Sequence, residues 1–259
     1  MAIHPTAIID PSASIGTGCD IGPYSVIGPE VRIARDCRIE SHVVIEGPSV
    51  IGEGNSISHH AVIGTAPQDV KFKGGESRLE IGNGNVIREF ATVNRGTPRG
   101  GGVTVIGDNC FLMAYIHVAH DCKLGDRVIM ANCATLAGHV KVCDGANFGG
   151  LAAVHQYAHV GRMAFIGGGA MVRRDVPPFV IARGDRARLV GINRVGLERA
   201  LFDDQRIEDI ESIYRLLWKH GWQAGIERLE GEFADNEDAK LIREFLADTE
   251  LGLCAPRED

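Results

Sequence analysis

The chain is poor in aromatic residues, has no long apolar run and carries no paired-cysteine motif. Aromatics make up 6% of its 259 residues, so any core must be assembled from small and β-branched aliphatic side chains. No apolar stretch approaches the roughly 18 residues of a membrane span, and no transmembrane segment is expected. The start, MAIHPTAIID, has no basic region followed by an apolar one and does not read as a signal peptide. Seven cysteines with no CxxC pair argue for reduced thiols in a cytoplasm rather than a disulfide framework. A net charge of −7 argues against nucleic acid as a partner. Glycine is what the chain has in excess: 33 residues, nearly twice the average usage of about 7%.

The apolar residues recur every six positions. Cut from Ala2, the chain reads AIHPTA, IIDPSA, SIGTGC, DIGPYS and so on, with isoleucine second in eleven consecutive hexads, Ile3 to Ile63. The phase returns at Glu80 for three hexads and resumes at Val105 for twelve more, each with an apolar second residue. Six matches neither the 3.6 of a helix nor the 2 of a simple strand. It fits a strand-and-turn unit with one aliphatic side chain inward, three units closing a coil of 18 residues and coils stacking as a solenoid. Glycine at or after the third position, as in IGTG and IGEG, is expected to supply the strained corners. Residues 68–79 (QDVKFKGGESRL) and 98–104 (PRGGGVT) break the rhythm and read as extruded loops. The repeat is expected to stop near Pro177–Pro178. From about Asn193 the period becomes helical, with Asp203 or Asp204 a candidate N-cap and Gly221 a candidate C-cap.

An 18-residue coil gives HVAHDC (117–122) a spatial meaning. TLAGHV (135–140) and AVHQYA (153–158) stack above it at strand spacing, roughly 4.8 Å per coil. His117, His120, His139 and His155 then share one patch with Asp121, Gly138 and Gln156. One histidine on a solenoid is ordinarily a solvated surface residue; four converging with an aspartate point to a site. Two chemistries compete: imidazoles holding zinc, or one imidazole serving as general base. The polar company favours the base.

The hexads follow the pattern of the hexapeptide-repeat family, and longer segments are more specific. PQDVKFKGG, VNRGT, GGGVT, HVAHDC, ATLAGHV, GGLAAVHQ and DVPPFVIARG, with the helical tail, resemble the acyl-[acyl-carrier-protein]–UDP-N-acetylglucosamine O-acyltransferases along essentially the whole chain. The resemblance implies a mainly β fold: a left-handed parallel β-helix over 1–190, then a C-terminal α-helical domain over 191–259. It implies transfer of a 3-hydroxyacyl chain from acyl carrier protein to the glucosamine 3-hydroxyl of UDP-N-acetylglucosamine, the first step of lipid A biosynthesis, without cofactor or metal, by a cytoplasmic homotrimer with clefts between subunits. His120 would be the base, Asp121 its orienting partner, and the Gly138 N–H the oxyanion donor. His117, His139, His155 and Gln156 match substrate-contact positions, as do Gln68, Asp69 and Lys71 in the first loop. Asn193 and Arg199 match positions near the uridine diphosphate and the carrier. Gly168 stands where the family gauges acyl length and implies room for a long chain, of about twelve to fourteen carbons or more. The chain departs from the family at Ala200 and Val195, where a second arginine and an acidic residue are common, and at Asn94 in place of a histidine.

Charge distribution adds to this. Residues 162–199 hold eight arginines and three acids, a basic stretch suited to an acidic partner such as acyl carrier protein. Alternative readings are a CoA-dependent acetyltransferase on the same scaffold, a zinc-dependent enzyme of carbonic-anhydrase type, and a purely structural β-helix. The last would need flat threonine arrays that the chain lacks.

Overall fold

The computed structural model describes residues 2–256. Each hexad forms a short strand that pairs in parallel with its counterpart one coil away, as in Ile21↔Ile39 and Leu112↔Met130. Three sheets of eleven, nine and eight strands result, the three faces of a left-handed parallel β-helix. The second hexad residue points inward: Ile45, Ile63, Leu112, Leu136 and Ile166 are all fully buried. The first residue of each hexad faces outward along the strand. At the start of the chain the interior is open, with the second-position Ile3 38% exposed.

The corners differ from the sequence expectation. Positive φ falls at the fifth hexad position, and most residues there are not glycine: Tyr24, Asp36, His60, Asn109, Asp121 and His139 all have φ between 55° and 65°. Gly18 and Gly54 share that role. Third-position glycines do something else. A Cβ on Gly16 would lie 2.6 Å from the carbonyl carbon of Ala34, and one on Gly22 2.7 Å from that of Glu40, so these glycines let the next coil approach. Fifth-position side chains stack in columns. Between the first and second faces, Tyr24, His42, His60, Phe90 and Tyr115 form a rail of parallel rings with centroids 4.8–5.2 Å apart.

At one corner the fourth-position amides are capped by side chains. Asn83 Oδ1 accepts from Glu53 N, Asp108 Oδ1 from Asn83 N, Asp126 Oδ1 from Asp108 N and Asp144 Oδ1 from Asp126 N, at 2.7–3.0 Å. These bonds run up the corner between the third and first faces.

Both loops are insertions within a coil. Leu79 pairs with Ser49 and Thr104 with Leu79, so the strands Arg78–Ile81 and Val103–Ile106 reclaim the ends of the stretches read as loops. Leu79 and Thr104 are fully buried. Pro177–Pro178 do not end the coil either. Gly161 packs against Pro178, Phe179 N donates to Arg162 O, and Val180–Arg183 adds one more parallel strand beside Phe165–Ile166. Arg188–Ile192 then turns back antiparallel to it.

Four helices follow: α1 Arg194–Arg199, α2 Asp204–His220, α3 Trp222–Glu232 and α4 Glu237–Ala247. Asp203 caps α2 through its carboxylate and Arg206 N at 2.8 Å, and Gly221 closes it at φ 77°. The buried Tyr214 hydroxyl of α2 donates to Pro178 O at 2.6 Å, tying the helices to the last coil. None of the described helices is long and apolar enough to cross a membrane.

Truncating a buried second-position side chain should cost more than removing one corner cap. Leu136→Ala is expected to lose about 3 kcal/mol to cavity formation, and Asp126→Ala about 1 kcal/mol for one unmade hydrogen bond. Urea unfolding of the two variants checks the order.

Candidate active site

The register stacks His117 on Thr135 and Thr135 on Ala153 along the second face. His120, Gly138 and Gln156 follow at the fourth position, and Asp121, His139 and Tyr157 at the corner between the second and third faces. The His139 and Tyr157 rings stack at 4.5 Å, and His120 meets His139 edge-on at 5.1 Å. His155 and Gln156 are exposed at the mouth of this group, with His155 Nδ1 3.0 Å from Gln156 O.

Asp121 organises the cluster. Its side chain is fully buried, and its Oδ2 lies 2.8 Å from His120 Nδ1. A carboxylate only accepts, so Nδ1 carries the proton and Nε2 keeps its lone pair. Thr97 donates twice, from its N–H to Oδ1 and from its hydroxyl to Oδ2, each at 2.7 Å. Asp121 N donates to Thr104 Oγ1 at 2.8 Å. Thr97 and Thr104 flank the second insertion, which reaches back to hold the carboxylate. Gly100 in that insertion packs flush on it: a Cβ there would lie 2.1 Å from Asp121 Cγ.

Gly138 lies under the His120 ring, where a Cβ would come within 2.6 Å of Cε1. Glycine is needed here to seat the ring. Unlike the capped amides of the opposite corner, Gly138 N–H donates to no group among the described residues. Thr92 Oγ1 lies 2.7 Å from His117 Nδ1 and fixes that ring. Thr92, Thr97, Gly100 and Thr104 went unnoticed in the sequence; the 25-residue offset that the second insertion imposes between Thr92 and His117 is the signal that finds them.

Burial holds the His117 and His139 imidazoles below their ordinary value. His120 adds to the effect at both, while Asp121 and Asp69 oppose it at His139. Asp69 therefore acts on the cluster from the first loop, where its Oδ1 also accepts from Lys71 N at 2.9 Å. Gln68 and Lys71 are exposed.

His120, Asp121 and His139 offer three potential metal-ligand atoms within 4.8 Å of one another. A zinc ion would need the Asp121 carboxylate as third ligand, yet both its oxygens already accept from Thr97 and one faces His120. The donor set fits an oriented imidazole better than a tetrahedral metal.

Relatives and solved structures agree on one family. The model described as UDP N-acetylglucosamine O-acyltransferase, domain 2, matches residues 175–254, and the bacterial transferase hexapeptide model matches 104–138. An acyl-[acyl-carrier-protein]–UDP-N-acetylglucosamine O-acyltransferase of Anaeromyxobacter sp. is 42% identical over 98% of this chain and 99% of its own. That of Halorhodospira halophila is 46% identical over 97% and 98%. The LpxA structure from Acinetobacter baumannii superposes with a TM-score of 0.95 at 39% identity, over 98% of this chain and 100% of that one. The Arabidopsis UDP-N-acetylglucosamine acyltransferase gives 0.86 at 35%, over 97% and 99%. The chain belongs to the acyl-[acyl-carrier-protein]–UDP-N-acetylglucosamine O-acyltransferase family.

Three residues matched to this acyltransferase family lie away from His120 within one chain. Asn193 is the N-cap of α1: its Oδ1 accepts from Gly196 N at 3.2 Å and its Nδ2 donates to Met163 O at 2.8 Å. With Arg199, Val195 and Ala200 it lines a cleft of about 450 Å³ against Ile129, Asn147 and Phe165 on the first face. Gly168 is exposed at the far edge of the second face, just before Met171, three rungs beyond His117. Among the arginines, Arg173, Arg174, Arg183 and Arg186 are exposed, whereas Arg194 is paired to Glu211 at 3.0 Å.

Three imidazoles, His117, His139 and His159, are lowered chiefly by burial. As pH falls through the ordinary value of 6.5 the unfolded chain takes up these protons first. Their contribution to stability is therefore complete above that value and lost below it. The thermal midpoint should drop between about pH 7.5 and about pH 5.5, and drop less in His159→Asn; scanning calorimetry checks both.

Proposed function

We propose that the chain transfers a 3-hydroxyacyl group from acyl carrier protein to the glucosamine 3-hydroxyl of UDP-N-acetylglucosamine, opening lipid A biosynthesis, in the cytoplasm and without a cofactor. The observation that carries this reading is the His120–Asp121 pair. It leaves Nε2 as the free ring nitrogen, beside a Gly138 amide that donates to no group among the described residues.

The acceptor hydroxyl attacks the thioester carbonyl carbon as His120 Nε2 takes its proton. Asp121 keeps the ring in the required tautomer and steadies the imidazolium. The Gly138 N–H donates to the oxyanion of the tetrahedral intermediate, a preorganised contact worth most where water is excluded. On collapse the C–S bond breaks, and His120 returns the proton to the departing carrier thiolate. His117 and His139, kept neutral by burial, serve as polar contacts for the substrate along with His155 and Gln156. Asp69, Lys71 and Gln68 close over the sugar nucleotide from the first loop.

Asn193 and Arg199 bind the nucleotide or the carrier from a neighbouring subunit of a homotrimer. Their distance from His120 within one chain supports a shared cleft. So does the half-exposed rail that includes Tyr24, Phe90 and Tyr115, at 60%, 43% and 58% exposure, a surface suited to burial against another copy. Val195 and Ala200 leave Arg199 to meet its anionic partner alone. Gly168 leaves the groove open to a long acyl chain.

A mass-spectrometric transfer assay with UDP-N-acetylglucosamine and 3-hydroxyacyl carrier proteins of several lengths tests this. Wild type should add one acyl group, and His120→Ala should lose on the order of 10²–10⁴-fold in rate. No product with any chain, from protein holding stoichiometric zinc, would transfer the cluster to metal chemistry.

A further inference from the structure

The pairing of His120 with Asp121 leaves most of the carboxylate's hydrogen-bonding capacity to one other residue. Thr97 spends two donors on it. Its N–H reaches Oδ1, and its hydroxyl reaches the same Oδ2 that faces His120 Nδ1. The hydroxyl is not free to turn away, because its oxygen accepts from Gly100 N at 3.1 Å while its single proton goes to Oδ2. Thr97 is also the N-cap of the 3₁₀ turn Pro98–Gly100, so the turn that interrupts the repeat fixes the donor. Thr97 and Asp121 are both buried, and water does not compete for these bonds.

We propose that Thr97 is a positioning residue of the acyl transfer, which sets the proton affinity of His120 by sharing the charge on Asp121 Oδ2. This rests on the reading of His120 as the base. A hydrogen bond given to a carboxylate oxygen draws negative charge toward its donor. Less of that charge is left to stabilise the imidazolium, and in a buried site the effect is not screened by solvent. Loss of the Thr97 hydroxyl leaves His120 Nδ1, among the described residues, as the hydrogen-bond donor to Oδ2, with His139 Nε2 facing the same oxygen at 3.6 Å in both forms. The imidazolium is then bound more tightly, and the free base becomes scarcer near neutrality. The carboxylate also loses one of its tethers, which costs ring orientation.

Thr97→Val keeps the shape and the backbone donor and removes only the hydroxyl; Thr97→Ala takes its place if valine prevents folding. Two readouts apply: the pH dependence of kcat/KM, and the titration of the His120 ring followed by NMR with ¹³C-labelled histidine, assigned with His120→Ala. In Thr97→Val the acid limb and the ring titration should both rise by about half a unit or more. The rate should fall by roughly tenfold, carried by kcat with KM for the sugar nucleotide within about twofold. Thr97→Ser should restore both. An unmoved acid limb and ring titration, whether the rate is retained or lost, overturns the proposal and leaves Thr97 a scaffold residue. If wild type forms no product, the acyl-transfer reading fails, while the ring titration still decides whether Thr97 acts on His120.

Discussion

The whole molecule depends on the parallel hydrogen-bond register between coils 18 residues apart. At most corners one residue adopts a left-handed conformation that turns the chain, and each closed coil is a template for the next. The register turns distance along the chain into columns of side chains separated by one strand spacing. Columns of isoleucine build the interior, a column of rings forms a rail on one edge, and a column of aspartate and asparagine caps amides on another. The histidine cluster is a fourth such column, distinguished by the buried Asp121 beside His120 and by the space that Gly138 leaves for the His120 ring.

A regular solenoid has no natural place for a buried carboxylate, and the second insertion supplies one. Asp121 turns in at a corner, where a perfect coil would offer it too few donors. The extra seven residues bring both Thr97 donors to it and lay Gly100 against it, while Thr104 Oγ1 accepts from the Asp121 N–H. The first insertion works at longer range, bringing Asp69 close enough to act on His139. Departures from the repeat thus carry the polar chemistry, and the repeat itself carries the placement.

Much of this was legible in the sequence. A period of six with an aliphatic second residue specifies inward side chains, and an 18-residue coil brings His117, His120 and His139 together without any further knowledge. The readings that needed correction each involve a backbone preference that one sequence states weakly. Positive φ at the fifth position is filled by tyrosine, histidine, arginine and leucine as well as glycine, because stacking on the neighbouring coil offsets the strain. Third-position glycines look like corner residues but serve close approach. Pro177–Pro178 looks like a terminator, yet it sits at a corner where no ladder donor is required. Thr97 escaped notice because the insertion shifts it out of phase with Asp121. Asn193, matched to a ligand contact, also caps α1, a second role that depends on where α1 begins.

The two ends of the prism are finished differently. One is sealed by helices whose Tyr214 hydroxyl reaches into the last coil, and the other leaves the inward Ile3 partly bare. Because each coil touches only its neighbours, loosening at the bare end stays local, and the first turns can fray while the histidine column keeps its geometry. The same asymmetry has a consequence during synthesis. The N-terminal coils are made before the coils they pair with, and the helices that seal the prism are made after the coils they cover. The histidine column is complete only once Tyr157 has stacked on His139, so it forms after the N-terminal coils are in place.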